Sequence, residues 1–248
     1  MRIQDKIILI TGGNAGIGLE MAKQLTKLGA KVIICGRNEA TLASAAKQFD
    51  LDYIRCDVSL AYDQKLMVKA LQARYERLDM LINNAGMMHK YAFVDDADTL
   101  TKVVEEIQVN AISPLSTTYH LLPMLKRSHD AAVVFVSSVL AYVPSPAAPI
   151  YSGTKSFIHH CAQTLRYQFK AYNIKVFELL PPATKTAMAV NFDSAKIPLM
   201  SVEKLVAEFI KGLQHDRFEI VAGSSKQVRL MSRLAPKFLF KQIVKSFN

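Results

Sequence analysis

The 248-residue sequence predicts a doubly wound α/β domain, in which a mainly parallel sheet of about seven strands has helices on both faces. Short β-branched runs alternate with longer helical segments from one end of the chain to the other, as in consecutive βαβ units. The strands are apolar throughout, which indicates burial on both faces of the sheet. Such sheets bind ligands at the carboxyl ends of their strands, beside the point where the strand order reverses.

The predicted elements follow one another without a clear linker. The first half of the chain predicts strands at 7–10, 32–35, 53–56 and 80–83 and helices at 17–28, 39–48 and 62–75. The second half predicts strands at 133–137, 175–180 and 218–221 and helices at 101–126, 152–172 and 202–213. Long loops at 86–100 and 181–200 follow the fourth and sixth strands and are candidate substrate-binding segments. We therefore expect a single Rossmann-type domain over residues 1–248.

Composition is typical of globular proteins and argues against several other classes. Half the residues are hydrophobic, 21% are charged, and the formal net charge is +10. The three cysteines have no C-x-x-C spacing, which argues against a disulfide framework or a zinc site. No apolar run reaches the ~18 residues of a membrane span, and the run at 7–10 is too short for a signal peptide. We expect a cytoplasmic protein without a bound metal and without a nucleic-acid partner.

Residues 11–18, T-G-G-N-A-G-I-G, connect the first predicted strand to the first helix. Gly12 permits a tight turn, Gly16 lets the backbone approach a pyrophosphate, and Gly18 lets the helix and strand pack closely. The helix N-terminus adds free N–H groups and a dipole that favours anions. This pattern predicts a dinucleotide phosphate site, with a purely structural turn as the alternative.

The end of the second strand predicts which dinucleotide binds. An acidic residue at this place would hydrogen-bond the ribose hydroxyls of NAD. The sequence instead has Gly36 followed by Arg37. The glycine leaves room for a 2′-phosphate, and the guanidinium can bind it in a fork. We therefore expect NADP(H) to be preferred over NAD(H), with a solvated surface arginine as the alternative.

Tyr151 and Lys155 lie four residues apart at the start of a predicted helix, so they share a face. The ammonium of Lys155 would stabilise a tyrosinate and draw the Tyr151 pKa down from ~10. A tyrosine tuned in this way can exchange a proton with a carbonyl or an alcohol. Ser138 ends the fifth strand, where its hydroxyl can orient a substrate oxygen; an ordinary strand-end serine is the alternative.

Asn110 lies inside a predicted helix, four residues before Pro114. Proline has no N–H, so the Asn110 carbonyl loses its normal helical partner. A carbonyl freed in this way can hold a water molecule. An ordinary proline kink is the alternative.

Together with N-N-A-G at 83–86, these motifs follow the order and spacing of the short-chain dehydrogenase/reductase family, which the sequence resembles over about residues 6–186. The resemblance implies hydride transfer between a nicotinamide and a carbonyl or secondary alcohol. It implies that Tyr151 is the acid/base and that Lys155 tunes it and binds the nicotinamide ribose. It also implies that Ser138 holds the carbonyl, that Asn110 serves a proton relay, and that Asp57 contacts the adenine. The cofactor-binding residues that it implies are Gly12, Asn14, Gly16, Ile17, Gly18, Arg37, Asp57, Val58, Asn84, Ala85, Gly86, Tyr151, Lys155, Pro181, Thr184 and Thr186.

The segment 181–186 departs from the family pattern P-G-x-x-x-T. It reads P-P-A-T-K-T, so Pro182 replaces a glycine and stiffens the backbone. Thr186 still matches the family residue that binds the nicotinamide carboxamide. The runs I-C-G-R at 34–37, T-L-R-Y-Q at 164–168 and L-P-P at 180–182 also resemble a Gram-positive bacterial subgroup, the DltE-type oxidoreductases.

The resemblance specifies the substrate only as a small carbonyl or alcohol compound. His89 and Lys90 are interpreted as solvated loop residues, with substrate contact as the alternative. His159 and His160 have no companions at metal-ligand spacing and are assigned no role. An apolar or mixed substrate is favoured by the loop residues near the expected pocket, which are Met87, Met88, Leu140, Tyr142, Met188 and Phe192.

Two other functions compete with the enzyme. The first is an NADP(H) sensor without turnover, against which the intact Ser138, Tyr151 and Lys155 argue. The second is a sugar-nucleotide epimerase, for whose second domain the chain is too short. The resemblance also implies a homodimer or homotetramer that pairs through the helices predicted at 101–126 and 152–172.

The C-terminal segment 224–248 is basic and amphipathic. It contains six Lys or Arg residues and no acid, and Pro236 is predicted to divide it into two short helices. Its apolar residues predict packing on this subunit or on a neighbouring one. Peripheral contact with an anionic membrane is the alternative.

Overall fold

The computed structural model describes residues 1–189 and 198–247. Within these ranges, seven strands form one sheet in the order β3-β2-β1-β4-β5-β6-β7, and every neighbouring pair is parallel. The strands are β1 (Ile7–Thr11), β2 (Lys31–Gly36), β3 (Asp52–Arg55), β4 (Met80–Asn83), β5 (Ala131–Val136), β6 (Ile174–Leu180) and β7 (Glu219–Val221). The predicted doubly wound fold is confirmed.

Helices cover both faces of the sheet and bury an apolar layer on each. The described helices are α1 (Gly16–Lys27), α2 (Glu39–Phe49), α3 (Ala61–Arg74), α4 (Thr99–Ile107), α5 (Ser113–Leu125), α6 (Pro149–Phe169), α7 (Val202–Gln214), α8 (Ser225–Leu234) and α9 (Pro236–Phe247). Helices α1, α2 and α7 contribute to one layer, and α3, α5 and α6 to the other.

Strand β1 shows why these strands are apolar at every position. Ile8 and Ile10 belong to the layer under α1, whereas Leu9 belongs to the layer under α5 and α6. Successive side chains point to opposite faces of the sheet, and in this protein both faces are buried under helices. Among the cysteines, Cys35 and Cys56 are buried and Cys161 is half-buried, and all three are free thiols.

The helix predicted at 101–126 is interrupted. α4 and α5 are joined by a π-helical segment, Gln108–Ile112, which contains Asn110. Pro114 lacks the N–H that would continue the α-helical pattern, so the chain widens locally before α5 begins. The helix predicted at 152–172 begins earlier, because Pro149 is well suited to a first helical turn. It ends in a 3-10 turn, Lys170–Tyr172.

The strand order reverses between β1 and β4, which are adjacent in the sheet. In an open parallel sheet this switch point opens a crevice at the carboxyl ends of the strands. The turn at 11–18 leaves β1 at this edge, and the N-N-A-G segment at 83–86 leaves β4 beside it. Two motifs that are far apart in sequence therefore meet here.

The C-terminal segment forms two helices divided at Pro236, as predicted. α8 packs against α9 and against the turn Val139–Ala141. Arg229 of α8 forms an ion pair with Glu219 of β7 at 2.7 Å. Four large apolar side chains nevertheless remain exposed, namely Leu230, Leu234, Phe238 and Phe240. Within the described ranges, no helix is both long enough and apolar enough to cross a membrane.

Candidate active site

The glycine-rich turn lies between β1 and α1, beside the switch point. Gly12 and Gly16 have φ angles of +64° and +53°, a region that L side chains rarely adopt. A Cβ on Gly18 would lie 2.4 Å from the Gly12 carbonyl oxygen, so the turn closes tightly on the helix. Gly16 and Ile17 begin α1, where backbone N–H groups have no helical acceptor. The turn therefore presents donors that suit an anionic ligand.

Asn84 and Ala85 brace this turn from the end of β4. Their backbone N–H groups both donate to the Thr11 hydroxyl at 3.0 Å. The Asn84 side chain donates to the carbonyl oxygens of Thr11 at 2.9 Å and Gly12 at 3.1 Å. Thr11 thus links the ends of β1 and β4. No role was predicted for it, and its only signal in the sequence is its place at the start of the glycine-rich motif.

The carboxyl end of β2 is the predicted adenosine site. Asn14 reaches over it, since its Nδ2 donates to the Thr41 hydroxyl at 3.0 Å and a Cβ on Gly36 would lie 2.7 Å from its Oδ1. Asn14 therefore fills part of the room that Gly36 leaves. Arg37 is exposed and forms no hydrogen bond or ion pair with any residue in the described ranges. Its guanidinium is available to a ligand.

Asp57 and Val58 follow β3 at the same edge of the sheet. Ser59 donates to Asp57 Oδ1 from its backbone N–H at 2.9 Å and from its hydroxyl at 2.7 Å. The Asp57 N–H donates to Asp63 Oδ2 at 3.0 Å. Val58 is buried. The Asp57 carboxylate is therefore held in a fixed orientation next to the end of β2.

Ser138, Tyr151 and Lys155 come together at the carboxyl end of β5. Tyr151 and Lys155 lie one turn apart in α6, and Lys155 Nζ is 5.4 Å from the centre of the Tyr151 ring. Lys155 Nζ also donates to the Val136 carbonyl at 2.9 Å. The Ser138 hydroxyl accepts from the Leu140 N–H at 3.1 Å and lies close enough to Tyr151 to lower its pKa.

Burial has the largest effect on the pKa values of Tyr151 and Lys155. Burial raises the pKa of Tyr151 to about 12; the nearby Ser138 hydroxyl lowers it, and the charge of Glu106 raises it. Burial lowers the pKa of Lys155 to about 8, while the charge of Glu178 raises it. The expectation that Lys155 draws the Tyr151 pKa down is therefore wrong for this structure, because removing a tyrosinate from water outweighs the other effects.

Asn110 joins this group from the π-helical segment. Its Oδ1 accepts from the Met87 N–H at 2.9 Å, and its Nδ2 donates to the Met87 carbonyl at 2.8 Å. Its Nδ2 also lies 3.4 Å from the Thr154 hydroxyl. A Cβ on Gly86 would lie 3.3 Å from Asn110 Oδ1 and 3.6 Å from Lys155 Nζ. The glycine thus leaves open a space that both side chains border.

The segment after β6 contacts the end of β5 and lies beside the glycine-rich turn. The Pro181 carbonyl accepts from the Val139 N–H at 2.9 Å, which joins the ends of β6 and β5. Thr184 is buried. Thr186 lies against the turn, since a Cβ on Gly16 would be 3.3 Å from its Cγ2.

The apolar loop residues of the expected pocket are distributed around this edge. Tyr142 packs edge-on against His159, with ring centres 5.1 Å apart. Met188 is 37% exposed, and Phe192 lies outside the described residues. The remaining three are half-buried, namely Met87, Met88 and Leu140. In the described part of the chain, no three His, Cys, Asp or Glu side chains are placed to hold a metal ion.

Three buried ionisable residues near the site were not predicted. Glu106 and Glu178 are 0% exposed, and His159 hydrogen-bonds Glu178 at 2.8 Å. The position of each of these three residues in the sequence could have indicated a role near the site. Glu106 lies one helical turn before Asn110, His159 lies one turn after Lys155, and Glu178 is an acid within an apolar strand.

The sequence comparison settles the family. A sequence model of the short chain dehydrogenases matches residues 6–197. The chain belongs to the short-chain dehydrogenase family. This short-chain dehydrogenase is 34% identical over 247 residues to the uncharacterized oxidoreductase DltE of Bacillus subtilis (strain 168), with 98% of each chain covered. Both the predicted family and its DltE-type subgroup are confirmed.

Solved structures share the fold of this short-chain dehydrogenase. A short chain dehydrogenase from Burkholderia cenocepacia J2315 in complex with NADP has a TM-score of 0.86 at 21% identity, covering 98% of this chain and 99% of that chain. A 3-ketoacyl-(acyl-carrier-protein) reductase from Brucella melitensis complexed with NADH has a TM-score of 0.78 at 26% identity, covering 85% and 91% of the two chains. The protein described here is thus an oxidoreductase of this family with its Rossmann fold.

Proposed function

We propose that this short-chain dehydrogenase is an NADP(H)-dependent oxidoreductase that interconverts a carbonyl and a secondary alcohol. The observation that carries the proposal is the meeting of Ser138, Tyr151 and Lys155 at the end of β5. Asn110 borders the same space as Lys155 across Gly86. A phenol, a hydroxyl and an ammonium in one buried cluster are suited to move a proton at a carbonyl oxygen.

The residues at the switch point suit a dinucleotide. The glycine-rich turn has φ angles that side chains disfavour, and the first N–H groups of the α1 helix that follows it have no acceptor within the helix. The two structures compared above were solved with NADP in one case and NADH in the other, so the preference for NADP(H) rests on residues of this chain. Arg37 stands free where an acid would favour NAD, and this supports NADP(H).

When bound, the nicotinamide supplies or accepts the hydride. Tyr151 holds its proton at neutral pH because burial raises its pKa to about 12, and it donates that proton to the carbonyl oxygen. The Ser138 hydroxyl orients this oxygen. The Lys155 ammonium compensates the tyrosinate that remains and can return a proton to it. A tyrosine that retains its proton suits carbonyl reduction, which we propose as the physiological direction.

A panel of aldehydes and ketones tests this function. Purified protein is mixed with NADPH and each compound, the matching alcohols are mixed with NADP⁺, and the absorbance of NADPH is followed. We expect turnover of at least one apolar or mixed carbonyl compound. NADPH binding without turnover over the whole panel would favour the sensor and contradict the proposal.

A further inference from the structure

Glu106 lies in the last turn of α4, where its side chain is fully buried. Its Oε1 accepts a hydrogen bond from the His89 backbone N–H at 2.6 Å. Asn110, four residues later, binds both polar backbone groups of Met87. Four residues of helix rise about 6 Å, and two residues of extended chain cover about 6.6 Å. Because these two distances are similar, Glu106 and Asn110, which are one helical turn apart, can bind His89 and Met87, which are two residues apart in the segment that follows β4.

Glu106 also lies against the N-terminal turn of α6. Tyr151 is the third residue of that helix, so its N–H has no acceptor within the helix. Burial raises the pKa of Glu106, whereas the backbone N–H groups of His89 and Tyr151 lower it. One buried carboxylate therefore binds the loop after β4 and acts on the backbone N–H of the candidate acid/base from close by.

Few charged or polar groups act on Tyr151. In the part of the chain that the structure describes, these are the hydroxyl of Ser138, the ammonium of Lys155 over the ring and the carboxylate of Glu106. The first two favour a tyrosinate. Glu106 opposes it, because two negative charges would then share one buried region.

The His89 ring also acts on Glu106, because its charge lowers the pKa of that carboxyl group. The His89 ring is 3.0 Å from the exposed carboxylate of Glu105. The hydroxyl of Tyr91 and Oε2 of Glu106 are both buried and have no hydrogen-bond partner among the described residues. A carboxylate oxygen kept from water interacts more strongly with nearby charges than one at the surface does.

We propose that Glu106 is a positioning residue of the active site, which holds residues 87–89 in place beside Tyr151 and keeps Tyr151 in its proton-donating form. This inference rests on the function proposed above, in which Tyr151 gives a proton to a carbonyl oxygen. Two experiments separate the effect of the charge from that of the hydrogen bond.

The charge is tested with Glu106→Gln, which retains an oxygen that can accept from His89. Carbonyl reduction declines at high pH in two steps, first as Lys155 (pKa about 8) and then as Tyr151 (pKa about 12) loses its proton. We expect the second decline to move to lower pH by about one unit in the variant and the first to stay in place, because a negative charge that opposes the tyrosinate is gone. Glu105→Gln removes an equal charge from the neighbouring exposed position and is expected to leave both declines in place, since solvent screens it. A second decline that Glu106→Gln leaves unmoved would overturn the role of the charge.

The hydrogen bond is tested by amide hydrogen exchange of a peptide that covers residues 84–92. We expect about tenfold faster exchange in Glu106→Ala and no change in Thr101→Ala, at an exposed position of the same helix. Equal exchange in both variants would overturn the positioning role. If Glu106→Ala does not fold, Glu106→Asp replaces it; the shorter side chain is expected to give faster exchange with the pH dependence of the wild type. Exchange needs no substrate, so a wild type that reduces no carbonyl would contradict the proposed function and leave this test decisive.

Discussion

Nδ1 of His159 lies 2.8 Å from Oε2 of Glu178, a carboxylate that is fully buried in β6. The other carboxylate oxygen accepts a hydrogen bond from the Ser137 hydroxyl. Ser137 precedes Ser138, and His159 lies one helical turn after Lys155. The Glu178–His159 pair is thus a buried polar support for the two segments that carry Ser138 and Lys155.

The pH dependence of stability tests this support. The hydrogen bond to Glu178 raises the pKa of His159, against the effect of burial. A raised folded-state pKa stabilises the fold fully below the unfolded value of ~6.5, and this stabilisation is lost as pH rises through the folded-state pKa. We expect His159→Gln to lower the free energy of unfolding by about 1.5–3 kcal/mol at about pH 6, and by less at about pH 9. Denaturant unfolding at both pH values measures this.

The exposed neighbour of His159 provides the control. His160 bonds the Ser156 carbonyl on the helix surface, so His160→Gln is expected to change stability little at either pH. A loss of stability in His159→Gln that is the same at both pH values would contradict the proposed ion pair.

Replacing Tyr151 by Phe removes the proposed proton donor and leaves the ring. We expect turnover to fall by about 10²–10⁴-fold while NADPH affinity stays close to that of the wild type. Steady-state kinetics and NADPH fluorescence titration measure the two effects. Tyr167→Phe, at an 85% exposed position of the same helix, is expected to behave as wild type. Retained turnover in Tyr151→Phe would place the proton transfer elsewhere.

Arg37→Asp tests the cofactor preference. We expect the wild type to bind NADPH more tightly than NADH, and the variant to lose about 10- to 100-fold in NADPH affinity, as for a lost charge-assisted hydrogen bond. NADH affinity should not fall. Lys47→Asp makes the same charge change at an exposed position near the far end of α2 and should have little effect. Equal affinities for the two cofactors in the wild type would refute the preference.

Apolar side chains on α4, α5 and α6 support the predicted homo-oligomer. Val104 is 65% exposed, Tyr119 71% and Phe157 48%. We expect light scattering at micromolar concentration to show a dimer or tetramer, and Val104→Lys to shift it towards smaller species by burying a charge at the interface. Leu60→Lys, at the exposed position just before α3, serves as the control. A monomeric wild type would contradict the prediction.

Helices α8 and α9 are predicted to pack on protein rather than on a membrane. Helix α8 packs partly on this subunit, and because four large apolar side chains of the two helices are exposed, we expect those side chains to pack on a neighbouring subunit. We expect deletion of residues 237–248 to lower the melting temperature by ~2–4 °C, for a loss of about 1 kcal/mol, and to lower solubility. Flotation with anionic vesicles tests the alternative. Salt-sensitive binding that disappears with the deletion would favour a membrane surface instead.

The sequence by itself determined the layers of the fold and the motif residues of the candidate site. Apolar strands buried on both faces, the glycine turn at 11–18 and the spacing of Tyr151 and Lys155 are local patterns, set by neighbours a few residues away. The parallel sheet and the break at Pro236 were predictable for the same reason. Pro114 indicated an irregular helix, but the π-helical form of that irregularity was not readable from one missing N–H.

Only the tertiary structure decided what lies against these motifs. The contacts of Glu106 with His89 and of Glu178 with His159 join segments 17 and 19 residues apart. The pKa of Tyr151 rises because of burial, although its spacing from Lys155 suggested the opposite. The physical reason is that burial and charge proximity depend on which distant segments pack together, and no local period of the sequence encodes that.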